Sequence, residues 1–507
     1  MIKNLLEPWR MGGLLLGCVW LSVSLGAAQA ATLQVQPGGL DAGNCQGSAC
    51  QTIGYALAQA APGGDTLQIA AGTYAEELTI NKSVVIVGAG MASTIIRAPA
   101  ALTPNPDISP GSGGQTTAIV FVTGAATNAT MRSLQVRGPG PSSSGSIGYG
   151  VFVGGNATFT LDTSHITAIR DEPLAGSQNG GGIRFGAPNT SQVGSGQVLN
   201  SVIDDFQKNG ITVSHVGSNV TVRGTTITGT SPPPTIAQNG IQVSGRAIAV
   251  IEDNTISNLQ CSTANPNCGP NATWSAGILL SSPNSATQVI NNRISNSDGN
   301  LYAYGTGGPY TITGNQLSDA IYANVSAGGI SLDMSNNVLR GAPIGLRAVG
   351  DTISPTTVVL RGGNIITGAS QQGIQAFAGV QPVSVSGSLN QFYSNAAGAN
   401  NPAAPPLVTL DLPCNWWGAA TGPAYTSNPL GTGNAVTDGV NYINWAIDNN
   451  AFSCVGNPAR NANPPAPPPI AAPVAVPVDA PWALFTSALA LAGLGANAMR
   501  GRQRRNS

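Results

Sequence analysis

Asp204-Asp205 is the best carboxylate pair in a chain of 507 residues with only 21 acidic and 20 basic groups. Carboxylates move protons in acid–base chemistry, and a neighbouring arginine or lysine completes the charge pattern. Arg184, Lys208 and Arg223 are the cations that would complete it, if the fold stacks successive segments about 5 Å apart. Asp204, Asp205 and Arg223 are therefore the candidate catalytic residues. Against them, neighbours in a strand point to opposite faces. The pair also falls just after Ile203, where equivalent segments carry Ser257-Asn258, Ser295-Asn296 and Ser318-Asp319. Those positions read as turns, and Asp is an ordinary turn residue. Glu252-Asp253 reads the same way, and Glu76-Glu77 reads as structural. His165 and His215 are isolated and read as surface or packing residues. Tyr302, Tyr304 and Tyr310 either stack on sugar rings or cover an edge of the fold. Trp416 and Trp417 read as packing at its end.

The elements that position these residues repeat. A small polar residue stands two places before an apolar one at Ser164/Ile166, Ser201/Ile203, Thr225/Ile227, Asn254/Ile256, Asn292/Ile294, Asn315/Leu317, Asn337/Leu339, Asn364/Ile366, Asn390/Phe392 and Asn415/Trp417. Consecutive members lie 22 to 38 residues apart. A second column pairs Gly with an apolar residue, as in Gly210-Ile211, Gly240-Ile241 and Gly277-Ile278. A period in the twenties is too short for a strand–helix–strand unit and suits one coil of a solenoid. Val, Ile and Leu would stack inward, and Asn254, Asn292, Asn315, Asn337, Asn364, Asn390 and Asn415 would form a ladder of side-chain amides. The longest steps read as coils with inserted loops.

Composition agrees. Only 8% of residues are charged and the net charge is −1, which argues against a nucleic-acid partner. Yet 42% are hydrophobic, in short β-branched runs, as in an all-β chain with many turns. Two histidines and no Cys-x-x-Cys make a structural zinc site improbable.

The ends read as addresses. Residues 1–30 form a signal peptide, with Lys3 and Arg10 before an apolar run and Ala28-Gln29-Ala30 as the cleavage site. The alternative is an uncleaved anchor. Residues 458–476 are a Pro/Ala-rich linker, extended at roughly 3 Å per residue. Residues 477–507 carry Pro477, Pro481 and Trp482, an uncharged stretch 481–499 long enough to span a membrane, and Arg500, Arg502, Arg504 and Arg505. This order of Pro-containing motif, hydrophobic helix and Arg cluster resembles the bacterial sorting signals PEP-CTERM and IPTL-CTERM. That resemblance implies an exosortase-like processing enzyme as partner and delivery to the cell surface. A plain membrane anchor is the alternative, and both place the body outside the cytoplasm. Six cysteines remain after the leader, and an even count in an exported chain suggests disulfides. Fifteen connectivities exist, and proximity favours Cys45–Cys50, Cys261–Cys268 and Cys414–Cys454.

Gly63-Gly64-Asp65-Thr66-Leu67, Gly72-Thr73-Tyr74 and Val84 to Gly88, after a helical spacing over Thr52 to Ala61, resemble the start of the pectate-lyase-like right-handed β-helix superfamily. Asn415-Trp416-Trp417-Gly418 and Asn441 to Trp445 resemble the closing coil of exported β-helix proteins. The expected fold is all-β: a right-handed parallel β-helix over 31–457, with an opening at 45–90 that includes a short capping helix, a closing coil at 410–454, and a C-terminal transmembrane helix. The resemblance implies that enzymes of this kind act on polysaccharide in a groove along one face, lyases with bound calcium and an Arg or Lys base, hydrolases with clustered Asp. No cofactor is otherwise expected. Two readings follow: a non-catalytic protein that binds polysaccharide, adheres or builds the envelope matrix, and a polysaccharide lyase or glycoside hydrolase. Three or more exposed acids with an Arg or Lys on one face would favour the enzyme.

Overall fold

The structure is a computed structural model that describes residues 30–454 except 106, 109–116, 140–146, 271, 402–406 and 451. The expected leader, linker, sorting motif, helix 481–499 and Arg cluster lie outside the described residues.

Buried and more exposed positions alternate along many strands, so one side chain in two faces inward: Val84–Gly88 and Ile248–Glu252 both show this period. Such strands can bury their apolar face only against further coils. Three parallel sheets result. Sheet 1 has fifteen strands, from Thr32–Val35 to Val440–Asn441. Sheet 2 has twelve short strands, from Gly72–Ala75 to Gln391–Tyr393, and sheet 3 has twelve, from Leu78–Ile80 to Ala399–Asn400. Through most of the chain, a coil visits sheets 1, 2 and 3 in turn, and each strand pairs with its equivalent one coil away. The protein is an all-β parallel solenoid with almost no helix. Among the described residues no helix is long and apolar enough to cross a membrane.

The core is a set of columns. Ile166, Ile203, Ile227, Ile256, Ile294, Leu317, Leu339, Ile366 and Phe392 stack in register inside sheet 2, each 1% exposed or less. Between sheets 1 and 2 the chain turns sharply. The residue before each polar column member has a left-handed backbone, as at Asp253 (φ 56°), Asn291 (55°), Gly314 (69°), Asn336 (55°) and Gly363 (70°). Asn, Asp and Gly tolerate that conformation best. It aims the next residue, Asn254 through Asn415, into the wall, where all seven are buried.

Near the start, helix Ile53–Gln59 buries Ile53, Ala56 and Leu57 and touches strands Thr32–Val35, Asp65–Ile69 and Leu78–Ile80. Thr52 caps it, and the Glu76 carboxylate accepts from the Ile53 and Gly54 N–H groups at 2.9 and 2.8 Å. Disulfides join Cys45–Cys50, Cys261–Cys268 and Cys414–Cys454. Long connections at 168–180 and 258–275, between sheets 2 and 3, account for the two longest repeat steps.

Candidate functional site

The structure brings Asp204 and Asp205 to the corner after sheet 2, and gives each its own partner. Asp205 has a left-handed backbone (φ 45°), so the pair is a turn. His165 stands one coil earlier, in register with Val202. Its Nε2 lies 3.0 Å from both Asp204 carboxylate oxygens, and Thr167 Oγ1 also donates to Asp204. An ionised Asp204 can only accept, so Nε2 donates to it; Nδ1 lies 2.9 Å from Gln135 Nε2. The expectation that His165 is isolated is corrected: a lengthened coil separates it from its partner in sequence. Arg170 Nε donates to Asp205 at 2.8 Å and its Nη1 to Glu172 at 2.7 Å.

Burial alone would raise Asp204, but the hydrogen bonds from His165 and Thr167 outweigh it and hold the carboxyl below its ordinary range. Asp205 moves the other way. Burial lifts it, the neighbouring charges of Asp204 and Glu172 add to the rise, and Arg170 only partly offsets them.

The other cations go elsewhere. Arg223 ends a sheet 1 strand and pairs with Glu252 at 3.7 Å, so it does not join the aspartates. Arg184 donates to Tyr149 Oη and the Gly186 carbonyl. Lys208 donates to the Ala237 carbonyl at 2.8 Å, and burial brings its amine down to about 8. Calcium takes six to eight oxygen ligands. Asp204 and Asp205 are already engaged by His165, Thr167 and Arg170, and among the described residues no group of three or more His, Cys, Asp or Glu could hold a metal. The corner does not fit calcium.

A different surface lies on the outside of sheet 3. There Leu279, Tyr302, Ser326, Arg347 and Gln375 form one outward column, and Ser281, Tyr304, Gly328, Val349 and Phe377 the next. At the N-terminal coils this face is covered: Phe121, Tyr149 and Phe152 pack with Ile108 and Ala187. Further along it opens. Tyr302 lies 5.8 Å from Trp274 and 5.4 Å from Tyr304; Trp274 lies 5.1 Å from Tyr322. The Arg347 guanidinium sits 5.4 Å from both the Trp274 and Phe377 rings, and it makes no ion pair among the described residues. The Ser326 hydroxyl, between Tyr302 and Arg347 in the column, is buried with no hydrogen-bond partner among the described residues. Tyr304 is 41% exposed, whereas Tyr310 is fully buried and donates to the Pro283 carbonyl. Tyr310 is thus core, not surface.

Trp274 holds the patch in place. Its Nε1 donates to the Gly269 carbonyl at 3.0 Å, beside the loop tied by Cys261–Cys268. Asp298 Oδ2 accepts from the Cys261 and Ser275 N–H groups, at 3.0 and 2.9 Å, and so fixes both roots of the loop. Burial pushes Asp298 up to about 6 despite those bonds.

Residues 118–317 match the family described as "Right handed beta helix region". The solenoid is a right-handed parallel β-helix. No curated protein matches this chain. Solved structures similar to this β-helix include the periplasmic alginate epimerase AlgG, at 12% identity over 70% of this chain and 78% of that one, TM-score 0.45. The A-module of Azotobacter vinelandii mannuronan C-5 epimerase AlgE4 is 15% identical over 68% and 91%, TM-score 0.43. The GH87 alpha-1,3-glucanase of Streptomyces thermodiastaticus is 14% identical over 81% and 69%, TM-score 0.44. At such identities and scores the likenesses say nothing of what this β-helix does.

Proposed function

We propose that this protein is an exported β-helix that binds polysaccharide, without cleaving it, across the open part of sheet 3. The observation that carries the reading is the run of Tyr302, Tyr304, Tyr322 and Phe377 around an arginine with no ion-pair partner among the described residues. Sugar rings present C–H faces that pack on aromatic rings, while their hydroxyls take polar partners. Arg347 keeps a planar set of donors, stacked and desolvated, for an oxygen-rich group of the ligand. Three disulfides support a body outside the cytoplasm. In this reading residues 1–30 direct export, helix Ile53–Gln59 covers the first coil, and 458–476 space the body 31–457 from the tail. Residues 477–507 hold the membrane until an exosortase-like enzyme releases the chain to the cell surface.

One observation favours an enzyme. Asp204, Asp205 and Glu172 stand together with Arg170 and His165, partly exposed, and the two aspartates are pushed in opposite directions. Opposed carboxyls are what a general base and a general acid require, so a lyase or hydrolase is the second reading. Incubation with acidic and neutral polysaccharides, with and without calcium, separates the two. Retention without product, lost in Tyr304→Ala, supports binding. New reducing ends or unsaturated sugars, abolished by Asp204→Asn, would replace it with catalysis.

A further inference from the structure

We propose that the closing coil carries a second carbohydrate site, remote from the patch on sheet 3, which takes one uncharged sugar ring. A pocket of about 250 Å³ opens between Tyr393, Ser394, Trp416, Trp417, Thr432 and Asn449. That is smaller than the usual site for a drug-sized ligand, at roughly 300–1,000 Å³. It suits a single ring, not a length of polymer.

The lining sets the chemistry. Among the described residues no charged one lines it, so neither an anion nor a cation is favoured. Tyr393 and Trp416 supply accessible aromatic rings, and hydroxyl and amide groups supply donors and acceptors, the mixture that an uncharged polyol with C–H faces requires. The rear wall is rigid. Trp417 is fully buried, packs 4.9 Å from Phe392, and its indole N–H has no acceptor among the described residues. Asn434, also at the pocket, is engaged in structure: its Oδ1 accepts from both the backbone and the side chain of Asn395. Ser394 and Asn449 are exposed, and Tyr393 and Trp416 half-buried. These four, with the exposed Thr432, whose hydroxyl also pairs with Thr421, are the groups available to a ligand.

Two lining positions require glycine. A Cβ on Gly418 (φ 92°) would lie 3.1 Å from Tyr393 Cβ, and one on Gly433 would lie 2.5 Å from the Trp417 carbonyl oxygen. The two sides are also tied together. Cys414, two residues before Trp416, is bonded to Cys454, five residues after Asn449. Between them the Asp448 carboxylate accepts from the Asn450, Phe452 and Ser453 N–H groups. A site fixed in this way loses little freedom on binding. The competing occupant is the chain's own Pro-rich segment beyond Cys454, since proline also stacks on Tyr and Trp. The polar lining favours the sugar.

The test uses the full chain in a non-glycosidic detergent. Saturation-transfer NMR and calorimetry are run with the methyl glycosides of glucose, mannose, galactose and N-acetylglucosamine, and with glucuronate. The expected result is binding of at least one neutral ring and none of glucuronate. That binding weakens by about tenfold or more in Trp416→Ala and in Asn449→Ala, equivalent to about 1.4 kcal/mol. Both pocket variants keep the parent melting temperature. If Trp416→Ala unfolds, Asn449→Ala alone decides. Three results would overturn the proposal: no neutral ring binds; binding survives both pocket variants; or binding appears only when Pro464, Pro465 and Pro467 are all changed to Ser, which would make the tail the native occupant.

Discussion

The side-chain amide of Asn337 donates to Oδ1 of Asn364, one coil away, at 2.9 Å. The same oxygen accepts from the Asn337 backbone N–H at 3.1 Å, and Asn337 Nδ2 also donates to the Ile312 carbonyl at 2.8 Å. Asn315 repeats the pattern one coil earlier, sending its backbone and amide donors to Asn337 Oδ1, each at 3.0 Å. Asn is the residue that can do this, because one short side chain offers both an acceptor and two donors. In Asn337→Leu the Asn315 backbone N–H and the Ile312 carbonyl lose these partners in a dry wall, while the Asn315 amide keeps the Val289 and Thr313 carbonyls. Each group left unpaired costs about 1–3 kcal/mol. Urea unfolding should show the loss, and hydrogen exchange should place it in the flanking coils. An unchanged unfolding midpoint would deny the ladder any role in stability.

Leu389 stands in the turn before Asn390 with a left-handed backbone (φ 62°), where most other coils place Gly, Asn, Asp, Ser or Thr. It is 44% exposed, so its side chain contributes little burial. A left-handed conformation costs a branched residue about 1–2 kcal/mol. Leu389→Gly and Leu389→Asn should therefore both raise the melting temperature, and Asn should do so without the added unfolded-state freedom that Gly brings. A lowered temperature in both would mean that Leu389 packs more than its exposure implies.

These two turns show what the sequence makes legible. A column of Asn with an apolar residue two places on survives any loop length, because the sharp turn and the sheet 2 strand always sit together. The coil and its inward face can be read from that. Loop lengths cannot, and they decide which outward residues meet. Tyr302, Ser326, Arg347 and Gln375 are neighbours in one column, yet the steps between them are unequal, so sequence spacing does not align Arg347 with Tyr302. Trp274 arrives from an inserted loop and belongs to no column. His165 meets Asp204 across the coil lengthened by 168–180, which hides the pair. Period-two spacing puts Tyr302 and Tyr304 on one face, but Tyr310 belongs to the next strand, of sheet 1, and points inward.

Asp298 gives the β-helix a pH dependence with a defined sign. Its folded pKa, about 6, lies above the unfolded value of 3.8, so between these values the folded state binds more protons. Stability then falls as pH rises through that window. The full effect is roughly 3 kcal/mol, and it acts in the coil that carries Trp274. Asp298→Asn retains an acceptor oxygen for the Cys261 and Ser275 N–H groups while removing the charge, so it separates the charge from the bonds. That variant should show no loss between pH 4 and 6 and should be more stable than the parent at pH 7. Parallel pH profiles for parent and variant would assign the dependence elsewhere.

The sheet 3 reading predicts different consequences for Arg347 and Tyr304. Tyr304 is exposed, so Tyr304→Ala should leave the melting temperature unchanged and weaken polysaccharide retention by about tenfold, for a lost ring contact of order 1 kcal/mol. Arg347→Met keeps much of the apolar stem between Trp274 and Phe377 and removes the charge. It relieves the cost of a half-buried cation with no ion-pair partner among the described residues, so the variant should be at least as stable as the parent. If the arginine contacts ligand, Arg347→Met also loses retention, and the loss is greater for anionic than for neutral polysaccharides. Affinity electrophoresis in gels of each type reads both effects at once. A destabilised Arg347→Met with full retention would make Arg347 a packing residue and remove it from the site.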